Sequence, residues 1–174
     1  MLQIILFVVL NLAIFAVSWK FLFNPQTHGF YRFFVFETVL VLVILNLDFW
    51  IINPFSLLQI FSWIILIISI IFVVTGFYLV RKKGKPKGEL DNTTELITGG
   101  IYKYIRHPLY SSLLFLGLGA FLKHITVTTG ILILLVIIFV ILTAKMEEKK
   151  DIRKFGESYK NYISETKLLI PFIF

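Results

Sequence analysis

The stretch "FSLLQIFSWIILIISIIFVVTGFYLV", residues 55–80, runs for 26 positions without one charged side chain. As a helix rising 1.5 Å per residue it is about 39 Å long, more than the roughly 30 Å hydrocarbon layer of a bilayer. A barrel strand would alternate polar and apolar positions, and this run does not, so it is a membrane helix. Three more long runs lie at 2–23, 33–52 and 125–144. A fifth, 108–122, is short of a full crossing and needs residues 102–107, or burial by its neighbours, to complete the span. A mean hydropathy of +0.89 with only 16% charged residues agrees with this reading. The expected fold is all-α: a polytopic membrane protein of five transmembrane helices with a cytoplasmic amphipathic C-terminal helix. Residues 1–174 are read as one membrane domain.

The first run follows Met1, Leu2 and Gln3, without the basic leading region of a secretory signal, so it is expected to be a retained first helix. The break at Asn53-Pro54 is tight enough to predict an antiparallel hairpin of the second and third helices. "KH" at 123–124 leaves so little loop that the fourth and fifth helices must also form a hairpin.

The sequence has 17 lysines and arginines and a formal charge of +7. Seven lie in 81–106 (Arg81, Lys82, Lys83, Lys85, Lys87, Lys103 and Arg106), and the tail from 145 to 167 holds seven more. With five helices these fall on one face together with Lys20 and Arg32, leaving only Lys123 opposite. The expected orientation puts the N-terminus outside and the C-terminus in the cytoplasm, as an integral, multi-pass protein. The basic residues hug helix ends, where anionic headgroups meet them, and no groove-reading motif accompanies them, so nucleic acid is not an expected partner. With no cysteine, there is no disulfide, zinc-thiolate site or thiol nucleophile.

Polar chemistry concentrates after residue 80. In "YIRHPLYSS", residues 104–112, Pro108 suits the first position of a helix, making His107 its cap with Arg106 just outside. The positive end of that helix and a flanking guanidinium favour an anion. Tyr102 and Tyr110 flank the pair with rings that suit a flat ligand. Glu147 and Glu148 sit where the last span leaves the membrane, and a hairpin of the last two spans brings them to Arg106-His107. Positive groups for a carboxylate, carboxylates for an ammonium and aromatic faces together suit a zwitterionic, partly aromatic ligand. Each residue also has a plain structural reading: a snorkelling arginine, an interfacial histidine or tyrosine, solvated glutamates. It is the conjunction that points to a site.

Glu148, Ile152, Phe155, Tyr159 and Tyr162 recur at helical steps on one face of the tail, the plain reading of which is packing on the membrane surface. Gly156 interrupts that helix, either as a weak point or as a place of close approach. In "TGG", residues 98–100, one of the two glycines permits a left-handed or tightly packed backbone. Two acids, Glu37 and Asp48, lie within apolar runs, where charge is expensive; interfacial placement is the plain reading, and Glu37 is a candidate for orienting an amine substrate.

"GGIYKYIRHPLYSSLLFLGLGAFL" followed by "EEKKDIRKFGESYKNY" resembles the isoprenylcysteine carboxyl methyltransferase and phospholipid methyltransferase superfamily of integral membrane enzymes. The resemblance runs over roughly residues 76–174 and rests on Gly100, Tyr102, Arg106, His107, Pro108, Tyr110, Gly119, Glu147, Glu148, Phe155, Gly156, Tyr159 and Tyr162. Ser112 stands where the family often has glycine, which narrows the pocket, and Asp151 where it often has an apolar residue, a change expected to be harmless because Ile152 supplies the contact.

The resemblance implies S-adenosylmethionine as cofactor, bound by Tyr102, Arg106, His107, Tyr110, Glu147, Glu148, Phe155 and Tyr159. Arg106 and His107 would hold its carboxylate, Glu148 with Glu147 its ammonium, and Tyr159 or Phe155 its adenine; Arg106 and Glu148 are also the catalytic candidates. No glycine-rich strand-to-helix signature of a soluble nucleotide-binding fold is present, and no metal is expected. The implied activity is methyl transfer to a lipidic acceptor reaching the site from the bilayer, by O-methylation of a carboxylate or N-methylation of an amine. The competing expectations are an NADPH-dependent sterol- or steroid-type membrane reductase and a non-enzymatic scaffold.

Overall fold

The computed structural model describes residues 1–86 and 92–174; Lys87 of the basic linker lies outside the described residues. Among the described residues six α-helices make up the fold: α1 (Leu2–Ser18), α2 (His28–Leu45), α3 (Leu57–Leu79), α4 (Pro108–Phe121), α5 (Val127–Phe155) and α6 (Glu157–Glu165). Four are long and apolar enough to cross a membrane, and α4 is the shorter apolar helix expected from the sequence. At 14 residues α4 spans only about 21 Å. Burial by neighbours completes it. It lies against α2, α3 and α5, and Ser111, Ser112, Gly117, Gly119 and Ala120 on it are buried. Such small residues let helices approach closely without a hydrophobic drive inside lipid. A Cβ on Gly119 would stand 2.6 Å from Leu66 of α3, and the Ser62 hydroxyl donates to the Gly119 carbonyl at 2.8 Å.

The core at the heart of this bundle joins Val35, Val39 and Leu42 of α2, Leu114 and Ala120 of α4, and Ile133, Val136 and Val140 of α5. The outer faces of α1 and α3 expose Ile, Leu, Val and Phe, as lipid-facing surfaces should. Antiparallel α1 is pinned by polar contacts to α2, where Asn11 donates to Glu37 at 2.7 Å, and to the turn that follows α2, where Gln3 donates to Asp48 at 2.6 Å.

The second helix departs from its expected bounds. It starts at His28 and stops at Leu45, and the following residues form a short 3-10 turn, Leu47–Phe49, and a bend with Asn53 at φ 47°. The cause is tertiary: buried Asn46 turns its amide away from the helix and donates to the Ala120 carbonyl at 2.7 Å and the His124 carbonyl at 3.3 Å. With the connection so lengthened, α2 and α3 are not the close-packed hairpin that Asn53-Pro54 suggests. α3 instead packs on α4, and α2 on α1, α4 and α5.

The hairpin of α4 and α5 forms as expected, with a Thr126/Thr129 capping box starting α5. α5 then continues without interruption through Glu147 and Glu148 to Phe155. Gly156, at φ 58°, breaks it, and nothing lies within 4 Å of a Cβ placed there. The glycine therefore serves backbone conformation rather than close approach. Beyond it α6 folds back, and Tyr159 and Tyr162 are buried, 2% and 6% exposed. The aromatic stripe thus turns inward; the membrane-surface reading fails because the Gly156 turn redirects its second half.

The last residues have a role that the tail's periodicity did not announce. Residues 104–107 and 166–168 lie side by side in a parallel bridge, with Arg106 N donating to the Lys167 carbonyl at 2.9 Å and Lys167 N to the Tyr104 carbonyl at 3.0 Å. Leu168 and Leu169 enter the core, and the Ser111 hydroxyl donates to the Leu169 carbonyl at 2.6 Å.

Candidate active site

The segment leading into α4 is set by backbone rules. Gly100 has φ 67°, and a Cβ there would stand 2.7 Å from Leu79, so of the two adjacent glycines this is the one whose missing side chain matters. The short turn Gly100–Lys103 places Tyr102 inward, and the buried Tyr162 hydroxyl donates to the Tyr102 carbonyl at 2.6 Å. Pro108 opens α4 at its first position, with His107 as the capping residue but without a side-chain cap bond. The imidazole is turned elsewhere.

It faces the two glutamates. His107 Nδ1 lies 3.6 Å from Glu147 Oε2 and His107 Nε2 3.8 Å from Glu148 Oε1, ion-pair rather than hydrogen-bond distances. Arg106 Nε donates to Glu148 Oε1 at 2.5 Å, and its Nη1 donates to the carbonyls of Thr166 and Ile163. The Arg106–Glu148 pair therefore ties three elements together: the entry to α4, the emerging end of α5 and the turn after α6. Glu147 also receives the Tyr110 hydroxyl.

Burial alone would press the His107 pKa down; the two neighbouring carboxylates more than reverse this and raise it to about 9. The imidazole is a cation at neutral pH. Burial also raises the phenols of Tyr102, Tyr159 and Tyr162 well above their ordinary range, so all three are neutral hydrogen-bonding groups and not bases.

These groups border a cavity of about 310 Å³. Its polar wall includes Tyr102, Arg106, His107, Glu147, Asp151 and Tyr159. Its apolar wall includes Phe36 of α2, Val73 of α3, and Leu109 and Leu113 of α4. Three buried side-chain atoms among the described residues lack a hydrogen-bond partner: Glu37 Oε1, Trp50 Nε1 and His107 Nε2. Of these residues, His107 is the one on the cavity wall. With Glu148 at ion-pair rather than hydrogen-bond distance, that nitrogen can still donate to an acceptor on a ligand.

Of the residues singled out in the sequence, Tyr102, Arg106, His107, Tyr110, Glu147, Phe155 and Tyr159 all line this cavity. Glu148 stands behind Arg106 and is not among the lining residues. Glu37 is away from the cavity, bonded to Asn11. Asp48 is bonded to Gln3 near the opposite end of the bundle. Ser112 does reach the cavity wall. Asp151 does so as well, a place on the wall that its reading as a harmless departure did not include. The signal was available: Asp151 is four residues after Glu147, hence on the same helix face. Among the described residues no cluster of His, Asp or Glu has the arrangement of a metal site.

The fold and cavity define a helical membrane protein with a mixed-charge, aromatic-walled site at one end of its central hairpin. The chain belongs to the phospholipid methyltransferase family, which it matches over residues 57–172. It is 30% identical over 120 residues to a methanethiol S-methyltransferase of Crocosphaera subtropica, covering 64% of this chain and 44% of that protein. It is likewise 30% identical over 113 residues to a methanethiol S-methyltransferase of Pseudomonas deceptionensis, covering 61% of this chain and 41% of that one. The chain thus spans less than half the length of these curated relatives. No solved structure matches it.

Proposed function

We propose that the protein is a membrane-embedded S-adenosylmethionine-dependent methyltransferase whose acceptor approaches from the bilayer. The observation that carries this reading is the buried His107, whose Nε2 makes no hydrogen bond beyond its 3.8 Å ion pair with Glu148, on a cavity wall that also bears Arg106, Glu147 and a cluster of aromatic rings. His107 holds the donor's carboxylate, joined by Arg106 Nη2, which has no hydrogen bond among the described residues. Glu147 holds its ammonium, and Phe155 with Tyr159 faces its base. Glu148, committed to Arg106, keeps that guanidinium in place rather than touching the ligand.

A sulfonium donor supplies a methyl carbon with a neutral thioether as leaving group. The protein's contribution is alignment: the polar wall fixes the donor, and the apolar wall leaves a dry approach for the nucleophile. A carboxylate acceptor needs no base, in keeping with phenols held neutral. Phe36, Val73, Leu109 and Leu113 come from three helices at membrane depth, so an apolar acceptor reaches the methyl sideways from lipid. In this reading the site faces the cytoplasm and the N-terminus lies outside. The whole of 1–174 acts as one domain, with 81–174 supplying the cofactor site and 1–80 the apolar approach.

The relatives favour a second acceptor class, a small thiol, which the same apolar approach admits. The family match weighs against an NADPH-dependent reductase. Titration of the purified protein with S-adenosylhomocysteine and with NADPH tests the reading: binding of the first alone is expected, and binding of NADPH alone would end it. Transfer of a radiolabelled methyl to prenylated cysteine, phosphatidylethanolamine or alkane thiols then separates the acceptors.

A further inference from the structure

Asp151 has no part in the scheme above, yet it stands on the cavity wall beside the residues that do. It lies on α5 one turn beyond Glu147, about 6 Å farther from the membrane-buried part of the helix. Phe155 follows one further turn along the same face, and its ring lies 6.5 Å from that of Tyr159 at an interplanar angle of 22°. Asp151 is thus placed, along α5, between the charged end at Glu147 and His107 and the aromatic end at Phe155.

We propose that Asp151 holds the nucleoside half of the methyl donor by accepting hydrogen bonds from its two ribose hydroxyls. The assignment rests on the methyl-donor reading given above. Three considerations select the diol. A carboxylate is an acceptor with two oxygens, matched to a pair of neighbouring hydroxyl donors. The ammonium is already met by Glu147, which adjoins His107 and hence the carboxylate of the same amino acid. The acceptor lies on the other side, against Phe36, Val73 and Leu113, where no acid lines the cavity. A donor laid from His107 past Glu147 to Phe155 and Tyr159 passes its ribose over Asp151.

The test is calorimetric titration of the full-length protein with S-adenosylhomocysteine and with its 2′-deoxyribose analogue, for the unchanged chain, D151N and D151L. Loss of a hydrogen bond to a charged group corresponds to about 10- to 100-fold in affinity. The unchanged protein should therefore bind the deoxy analogue about that much more weakly. D151L should bind both ligands with the same, weakened affinity, and D151N should retain part of the preference. Thermal melting of each variant checks that it is folded, and D151N, nearly identical in shape, serves if D151L is not. Preference for the ribose hydroxyl undiminished in either folded variant would overturn the assignment while leaving the methyl-donor reading intact. Failure of S-adenosylhomocysteine to bind the unchanged protein would overturn both.

Discussion

The α4–α5 hairpin buries charge at both of its ends, with opposite results. At the closed end Lys123 is 3% exposed, its Nζ donating to Gln59 Oε1 at 3.1 Å and standing 3.6 Å from the centre of the Trp63 ring. Gln59 in turn donates to the Lys123 carbonyl at 3.0 Å, and His124 stacks on Phe49 at 3.8 Å. Lysine and amide satisfy one another; the buried Trp50 Nε1 beside them has no hydrogen-bond partner, but none of Lys123, Gln59 and Trp50 lines the large cavity. At the open end Arg106 and Glu148 are matched, but His107 Nε2, 3.8 Å from Glu148, makes no hydrogen bond and stands on the cavity wall. Buried polarity by itself therefore does not mark a site here; polarity left unsatisfied next to a cavity does.

That contrast breaks most severely at Arg106. R106A leaves Glu148 without its hydrogen-bond partner and the carbonyls of Thr166 and Ile163 without this donor, so a stability loss of about 3–5 kcal/mol is expected, read from melting in detergent. R106K should recover only part of it, because an ammonium cannot reproduce the forked geometry. Full stability in R106K would show that the three-element tie contributes little.

The next effect lies at the α5–α6 turn. G156A forces a Cβ into a backbone conformation that favours glycine, at a cost of about 1–3 kcal/mol, or else straightens the tail into one helix. Straightening would carry Tyr159 and Tyr162 off the cavity. Binding of S-adenosylhomocysteine should weaken in either case, and circular dichroism should show added helix in the second. An unchanged affinity would remove α6 from the site.

K123M addresses the closed end. It removes one charged hydrogen bond and the ring contact, and about 1–2 kcal/mol of stability should go with them. Ligand affinity should stay as it was, since the residue lies at the far end of the hairpin from His107. A parallel fall in affinity would mean that the two ends are coupled rather than independent.

Lys123 also shows how far the sequence can be read. As the only basic residue on its face it looked like an exception to the charge rule; its explanation, a cage of Trp63, Trp50 and Gln59, spans residues too distant in the chain to be paired by periodicity. The bundle was legible because uninterrupted apolar runs leave few alternatives to helices. The meeting of Arg106-His107 with Glu147-Glu148 followed from one short loop, Lys123-His124, which left the chain no other course. The end of α2 and the seating of 166–169 beside 104–107 were not legible, since both depend on backbone carbonyls presented by remote segments. Asp151 lay within reach of helical spacing from Glu147, but its neighbour Ile152 offered a simpler apolar account.

The smallest expected effect is also the one that bears most directly on the open end. The His107 pKa is raised, so its protonated form contributes stability fully below its unfolded value near 6.5, and that contribution is lost as pH rises through about 9. Ligand affinity that depends on the imidazolium should follow the same course. Between pH 7 and pH 8.5 the protonated fraction falls only to roughly three quarters, so affinity should change less than about twofold. From pH 8.5 to pH 10 it should fall more steeply, by up to about eightfold, as the protonated fraction drops to roughly a tenth. H107Q keeps a donor but not the charge, and its affinity should be lower at pH 7 and flat across this range. A profile in H107Q with the same inflection as the parent would assign the titration to another group, and with it the part His107 plays in distinguishing the two ends of the hairpin.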